Sequence, residues 1–173
     1  GQITVKDMGE PVTGEGIFAM TFNPEKNEFY GVVHPSGKFF TFNLKTGKTQ
    51  IFDQTVPSEK DLETYHSFAL QPEDYLGRAL LIDQRGRIYG SRSINKLFCF
   101  DPANQSISVL KDELPFVWGR EAMGRIDSWV KMPEGTIYGS NAADGQLFRL
   151  DPVNQTIVNL GKPIMMPRIM AMT

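Results

Sequence analysis

The side chains whose types could do chemistry are few, and most fall between strand-like stretches rather than within them. Arg78, Arg125 and Arg168 each open an apolar stretch of the same kind. Arg125 and Arg168 align directly, and Arg78 sits two residues later in its copy, which keeps side-chain parity along a strand. Arginines ringing a channel mouth would take a carboxylate or another planar anion through bidentate hydrogen bonds. The bland alternative is structural pairing with carboxylates such as Asp127 or Glu15, and the first copy has Gly16 at that place. The two histidines, His34 and His66, both lie in links, where an imidazole serves as acid, base or metal ligand, or is simply solvated. The link 54–77 adds Tyr65, Glu73, Asp74 and Tyr75, and the link 112–124 holds Phe116, Trp118, Arg120 and Glu121. A Trp beside an Arg stacks on a sugar ring or anchors a partner when exposed, and closes as a lid when packed. The single Cys99 lies in the alternation Lys96-Leu97-Phe98-Cys99-Phe100 and reads as a buried packing thiol. It forbids an internal disulfide and a Cys-based zinc cage. There is no nucleophile elbow, phosphate-binding Gly loop, HExxH or EF-hand, and Gly14-Glu15-Gly16 precedes no helix.

The elements that must position these residues show themselves as a repeat. Ile88-Tyr89-Gly90-Ser91 matches Ile137-Tyr138-Gly139-Ser140, and Lys96-Leu97-Phe98-Cys99-Phe100-Asp101-Pro102 matches Gln146-Leu147-Phe148-Arg149-Leu150-Asp151-Pro152. Asn104-Gln105-Ser106-Ile107 matches Asn154-Gln155-Thr156-Ile157. A weaker third copy holds Phe29-Tyr30-Gly31 and Lys38-Phe39-Phe40-Thr41-Phe42-Asn43. The aligned Tyr-Gly triplets begin at residues 29, 88 and 137, a period of roughly 50 residues. Each copy reads as four short strands, with period-2 alternation, β-branched and aromatic enrichment and turn chemistry at the joints. A four-stranded repeat of this length is a propeller blade. The expected fold is therefore all-β: three blades at about 17–53, 78–111 and 125–161.

Ile3-Thr4-Val5-Lys6 resembles the last strand of a blade and Arg168-Ile169-Met170-Ala171 the first, so 3–8 and 168–173 read as orphan strands of neighbouring blades. Propellers close with four to eight blades, so three form an arc. Either two chains pair as a homodimer or the chain is part of a longer one, in a ring of six to eight blades; the orphan strands favour the longer chain. The start at Gly1 has no initiator Met and no apolar run, and reads as a mature or cloned end.

Composition narrows the partners. Lys plus Arg is 18 against 20 Asp plus Glu, a net charge of -2, which argues against nucleic acid and against an anionic membrane surface. No apolar run reaches the ~18 residues of a membrane span. The sequons at Asn104 and Asn154 would permit glycosylation in a secretory pathway, and also sit where turns are expected. A periplasmic or extracellular setting is favoured over a cytoplasmic one.

The first blade, from Gly14-Glu15-Gly16-Ile17 through Phe29-Tyr30-Gly31 to Phe42-Asn43-Leu44-Lys45-Thr46-Gly47, resembles the opening blade of the SMP-30/gluconolactonase family. That resemblance implies a six-bladed propeller with metal-dependent lactonase or esterase chemistry, and places a divalent-metal ligand, calcium or zinc, at Glu15. The later blades are similar to those of streptogramin lyases and NHL-type propellers, through Gly-x-Ile-Tyr-Gly at 86–90 and 135–139 and Leu-Phe-x-Leu-Asp-Pro at 147–152. Where the lactonase family offers Asn-Asp-Gly before its second blade, this chain has Leu76-Gly77-Arg78-Ala79, and its later Asn and Asp ligands have no clear match. The reading that follows is non-catalytic: a module binding a small anionic or carbohydrate-like ligand, or a protein partner, at the loop face. Arg78, Arg125, Arg168, His34, His66, Tyr65, Trp118 and Arg120 are its candidate contacts. A metal-dependent lactonase or a lyase is the alternative.

Overall fold

The computed structural model describes residues 3–55, 76–92, 95–116, 125–141, 145–165 and 172. It contains three antiparallel four-stranded sheets. Blade 1 comprises β1 (Gly16–Asn23), β2 (Glu28–His34), β3 (Lys38–Asn43) and β4 (Thr49–Gln54). Blade 2 comprises β5 (Leu81–Ile82), β6 (Ile88–Arg92), β7 (Lys96–Asp101) and β8 (Ser106–Val109). Blade 3 comprises β9 (Ile126–Lys131), β10 (Ile137–Asn141), β11 (Leu147–Asp151) and β12 (Thr156–Gly161). In every sheet the spatial order follows chain order, as the repeat predicts for a propeller blade.

The joints inside a blade are set by short polar side chains that bond their own backbone. Asn23 Oδ1 accepts from the amides of Glu25 and Lys26, and Asp83 Oδ1 from those of Arg85 and Arg87. Asp101 and Asp151 do the same for Ala103 and Val153. Gln105 and Gln155 adopt left-handed φ values of 56° and 55°, and Gly47 takes φ 67° at the equivalent turn of blade 1. Both sequons therefore lie in these turns.

The expected first strand of blade 2 spans 78–83, whereas the observed strand is only Leu81–Ile82. Asp83 is drawn into the following turn, where its amide donates to the Arg87 carbonyl at 3.0 Å. At the other end Gly77 lies so close to Ser91 that an added Cβ would sit 2.7 Å from the Ser91 side chain. Residues 3–15 carry no strand, and Ile3 and Val5 are exposed. Of the stretch 168–173, all but Met172 lies outside the described residues.

The repeated Tyr-Gly and Leu-Phe motifs meet across strands. Gly31 faces Phe40, Gly90 faces Phe98 and Gly139 faces Phe148 in register. Each ring lies over the missing side chain of its glycine, so an added Cβ would come within 2.4, 2.5 and 2.3 Å of the ring. Between blades 1 and 2 the core is aromatic: Phe39 and Phe100 have ring centroids 4.6 Å apart, and Phe52 meets Phe100 edge-on at 4.8 Å. Between blades 2 and 3 it holds Tyr89, Leu97, Cys99, Ile137, Phe148 and Leu150. The second joint also carries a polar latch. Arg87 pairs with the buried Asp83 at 2.8 Å and donates to the Pro152 carbonyl, to which Tyr89 Oη also donates at 3.4 Å.

Gly90→Ala is expected to cost about 1–3 kcal/mol by overpacking Phe98 and Leu80. The readout is the thermal midpoint, which should fall by several degrees, while the equivalent change at exposed Gly16, where nothing lies within 4 Å, leaves it within about a degree. Equal midpoints would mean that the Phe98 ring is not seated on the glycine.

Candidate functional site

One end of the arc gathers two kinds of connection, those leading from one blade into the next and those joining the second and third strands of a blade. In blade 1, Glu15, one residue before β1, accepts at Oε2 from the amide and hydroxyl of Ser36, at 3.1 and 2.6 Å. Thr55, just past β4, donates from its amide and hydroxyl to the Gly37 carbonyl at 2.8 and 3.0 Å. In blade 2, the Leu114 amide donates to the Asn95 carbonyl at 2.6 Å. Across the joint between blades 2 and 3, the Ile126 amide donates to Ser91 Oγ at 2.6 Å, and Asn141 Nδ2 donates to the Pro115 carbonyl at 2.6 Å. These ties bind the connections into one loop face, as expected of a rigid scaffold that presents its loops.

The predicted site residues divide on this face. Gly16 pairs with His34, so Glu15 and the exposed imidazole of His34 end neighbouring strands beside Ser36. His34 stacks on Phe18 with centroids 6.0 Å apart. Arg78 is exposed, three residues before β5. Arg125, immediately before β9, is partly buried and engaged within the protein. Arg78 and Arg125 thus stand at the same end of two adjacent innermost strands, with Ser91 between: it packs against Gly77 and bonds Ile126. Arg168, His66, Tyr65, Trp118 and Arg120 lie outside the described residues.

Beneath the mouth lies a buried polar layer that sequence reasoning missed. Ser91, Asn95, Ser128, Ser140 and Asn141 are buried, and Ser128 and Ser140 hydroxyls lie 3.1 Å apart. Its signal is the repeated Tyr-Gly-Ser at 89–91 and 138–140, whose third residue reads equally as strand and as lining. Asn95 Oδ1 is buried with no hydrogen-bond partner among the described residues, an acceptor that calls for a donor such as a bound water.

The opposite end carries a shallow cleft of about 390 Å³, bordered by Gln84, Glu134, Thr136, Arg149 and Asp151. Hydrogen bonds from Asn154 and Val153 hold the Asp151 carboxyl below its ordinary range. Among the described residues, none of the predicted site residues borders it.

Among the described residues, no three His, Cys, Asp or Glu side chains converge as a metal site. Nor is any helix of the described residues long and apolar enough to cross a membrane.

No family model matches the chain, and no curated protein matches it. Solved structures do. The chain is similar to a catalytically inactive virginiamycin B lyase from Staphylococcus aureus with quinupristin, at 13% identity and TM-score 0.60, over 88% of this chain and 44% of that one. It is similar to regucalcin from Agrobacterium tumefaciens, described as a calcium-binding protein, at 13% identity and TM-score 0.51, over 87% and 44%. It also matches the WD40 repeats of RRP9, at 8% identity and TM-score 0.57, over 85% and 38%. At these identities the likeness concerns the fold: a partial β-propeller resembling the streptogramin lyase and SMP-30-like structures. The chain spans less than half the length of each of these structures.

Cys99 is no candidate nucleophile. Burial pushes its thiol up to about 11, and it faces the core between blades 2 and 3. A thiol so raised stays neutral near pH 8.5, where an unfolded cysteine is about half ionised. A thiol reagent at pH 8.5 should label the folded chain slowly and the urea-unfolded chain promptly; equal rates would place Cys99 at the surface.

Proposed function

We propose that this chain is a non-catalytic binding module whose loop face takes a small anionic or carbohydrate-like ligand. The observation that carries the reading is the placement of Arg78 and Arg125 at the same end of adjacent innermost strands, above the buried layer of Ser91, Asn95, Ser140 and Asn141. Guanidinium groups supply paired donors for a carboxylate, and the buried seryl and amide groups beneath them fix the connections that carry them. The exposed His34 extends the polar rim into blade 1. Quinupristin in the lyase structure, a small molecule carried by a similar fold, supports a small-molecule ligand by analogy of fold alone. A protein partner at the same face is the variant that Trp118 and Arg120 would serve.

The second reading is a metal-dependent lactonase or a lyase, favoured by the position of Glu15 and by the calcium-binding regucalcin among the similar structures. The described residues do not fit that centre. Glu15 Oε2 is taken by Ser36, no three His, Cys, Asp or Glu side chains converge with it among the described residues, and a divalent cation in a propeller mouth needs several converging oxygen or nitrogen ligands. No step is therefore assigned to a metal.

Titration calorimetry with D-glucuronate, and with D-glucose as the uncharged probe, tests the first reading. Arg78→Ala and Arg125→Ala should each weaken glucuronate binding by more than about tenfold, roughly 1.4 kcal/mol, and leave glucose little changed. Unchanged glucuronate affinity, or none in the parent chain, removes the arginines from the site. A melting-temperature rise with calcium or zinc that Glu15→Gln abolishes would instead support the metal reading.

A further inference from the structure

The pairing of β5 begins only at Leu81, so the sheet does not hold Arg78, three residues earlier. Two contacts fix the chain there. Leu76 is buried in the apolar core between blades 1 and 2, and Gly77 lies directly against Ser91 of β6. A Cβ on Gly77 would stand 2.7 Å from the Ser91 Cβ and Oγ and 3.1 Å from its amide nitrogen. The same side chain also meets the entry to blade 3. The Ile126 amide, next after Arg125, donates to Ser91 Oγ at 2.6 Å. The residue before Arg78 and the residue after Arg125 therefore rest on one serine, which is 3% exposed.

The architecture of a blade does not require a hydroxyl at this position. Counting from the tyrosine of each Tyr-Gly pair, Ser91 corresponds to Val32 in blade 1 and to Ser140 in blade 3. Val32 is buried and belongs to the apolar core of the first joint. Chain entry into blade 2, at Leu76, is thus fixed by apolar burial, whereas entry into blade 3 is fixed by a hydrogen bond. The hydroxyl stands at the joint whose two sides carry Arg78 and Arg125.

We propose that Ser91 is a positioning residue of the loop face, setting the spacing of Arg78 and Arg125 so that both guanidinium groups serve one carboxylate-bearing ligand. The inference rests on the anion-binding reading above. Through Gly77 the serine fixes where Arg78 leaves the core, and through the Ile126 amide it fixes where Arg125 enters β9. A guanidinium meets a carboxylate well only in a narrow planar geometry, so a small shift of either backbone is felt in affinity. Ser91, being buried, acts through its two neighbours without touching the ligand.

Amide hydrogen exchange and titration calorimetry with D-glucuronate on the 173-residue chain test this. Ser91→Ala removes the tie to Ile126 and keeps the Cβ on which Gly77 rests. It should speed exchange of the Ile126 amide by at least about tenfold, with an unchanged β-sheet circular-dichroism spectrum. It should weaken glucuronate by about three- to tenfold and leave D-glucose unchanged. Added to Arg125→Ala, it should cost less than about twofold more, because its effect passes through that arginine. Gly77→Ala keeps the hydroxyl and displaces it, so glucuronate should weaken in the same range, with most of the effect gone in an Arg78→Ala background. A purely structural serine would lower the melting temperature and leave both couplings at zero. If the parent chain binds glucuronate and both variants bind it equally well, or if Ile126 exchange is unchanged, Ser91 positions nothing and the binding reading stands. If the parent chain binds no glucuronate, the binding reading itself fails and takes this inference with it.

Discussion

Three aromatic rings that fill the space over three glycines are the constraint on which the arc depends. Phe40, Phe98 and Phe148 each occupy the space over the glycine opposite, and any side chain there would collide with the ring. In blades 2 and 3 the arrangement gives the sheet an apolar face that seats on the preceding blade, and each buried ring contributes about 1.5–3 kcal/mol of burial. Close packing leaves no room to relax a Cβ at this point, because protein interiors are as dense as organic crystals. The same physical solution at three places explains why Tyr-Gly and Leu-Phe are what survives when the copies have otherwise diverged.

Between blades the requirement is looser, and the two joints meet it differently. The first is filled by stacked and edge-on aromatic rings from Tyr30, Phe39, Phe52, Phe98 and Phe100. The second uses smaller side chains and closes its outer end with the Arg87–Asp83 pair and the Pro152 carbonyl. A buried carboxylate is tolerated there because it is paired and accepts backbone amides, so that its charge is not left without compensation. Volume can be filled by many side chains, whereas a ring over a glycine admits few substitutes.

That difference decides what was legible from the residues alone. The blades could be read because the glycine seats and the Asx turns repeat in register, and the period survives even in the weak first copy. The short β5 could not: Arg78, Ala79 and Leu80 have strand-like character, and only contacts from elsewhere, Ser91 on Gly77 and Arg87 on Asp83, show where pairing stops. The loop face was half legible. The chain order of strands brings Glu15, His34 and Ser36 to one end, and Arg78 and Arg125 with them, but the hydrogen bonds that tie the connections together link residues 18 to 35 positions apart. The repeated Tyr-Gly-Ser marks the position of Ser91 but not its role, and Asn141 becomes visible only through its bond to Pro115, since a serine or asparagine in a strand repeat has no signature that separates lining from packing.

Fold and chemistry are carried by different ends of the same strands, and this separation makes the binding reading economical. The glycine seats and aromatic joints lie at mid-strand, where each substitution is felt by two blades. Arg78, Arg125 and His34 lie at strand termini or just before them, and exposed Arg78 and His34 can vary without disturbing a seat. The ties beneath them, from Ser36 to Glu15 and from Ser91 to Ile126, hold backbone and carboxylate in place without consuming either exposed head group. A face built in this way has its geometry fixed from below and its specificity set from above, blade by blade. Its reach is then set by how many blades surround the channel.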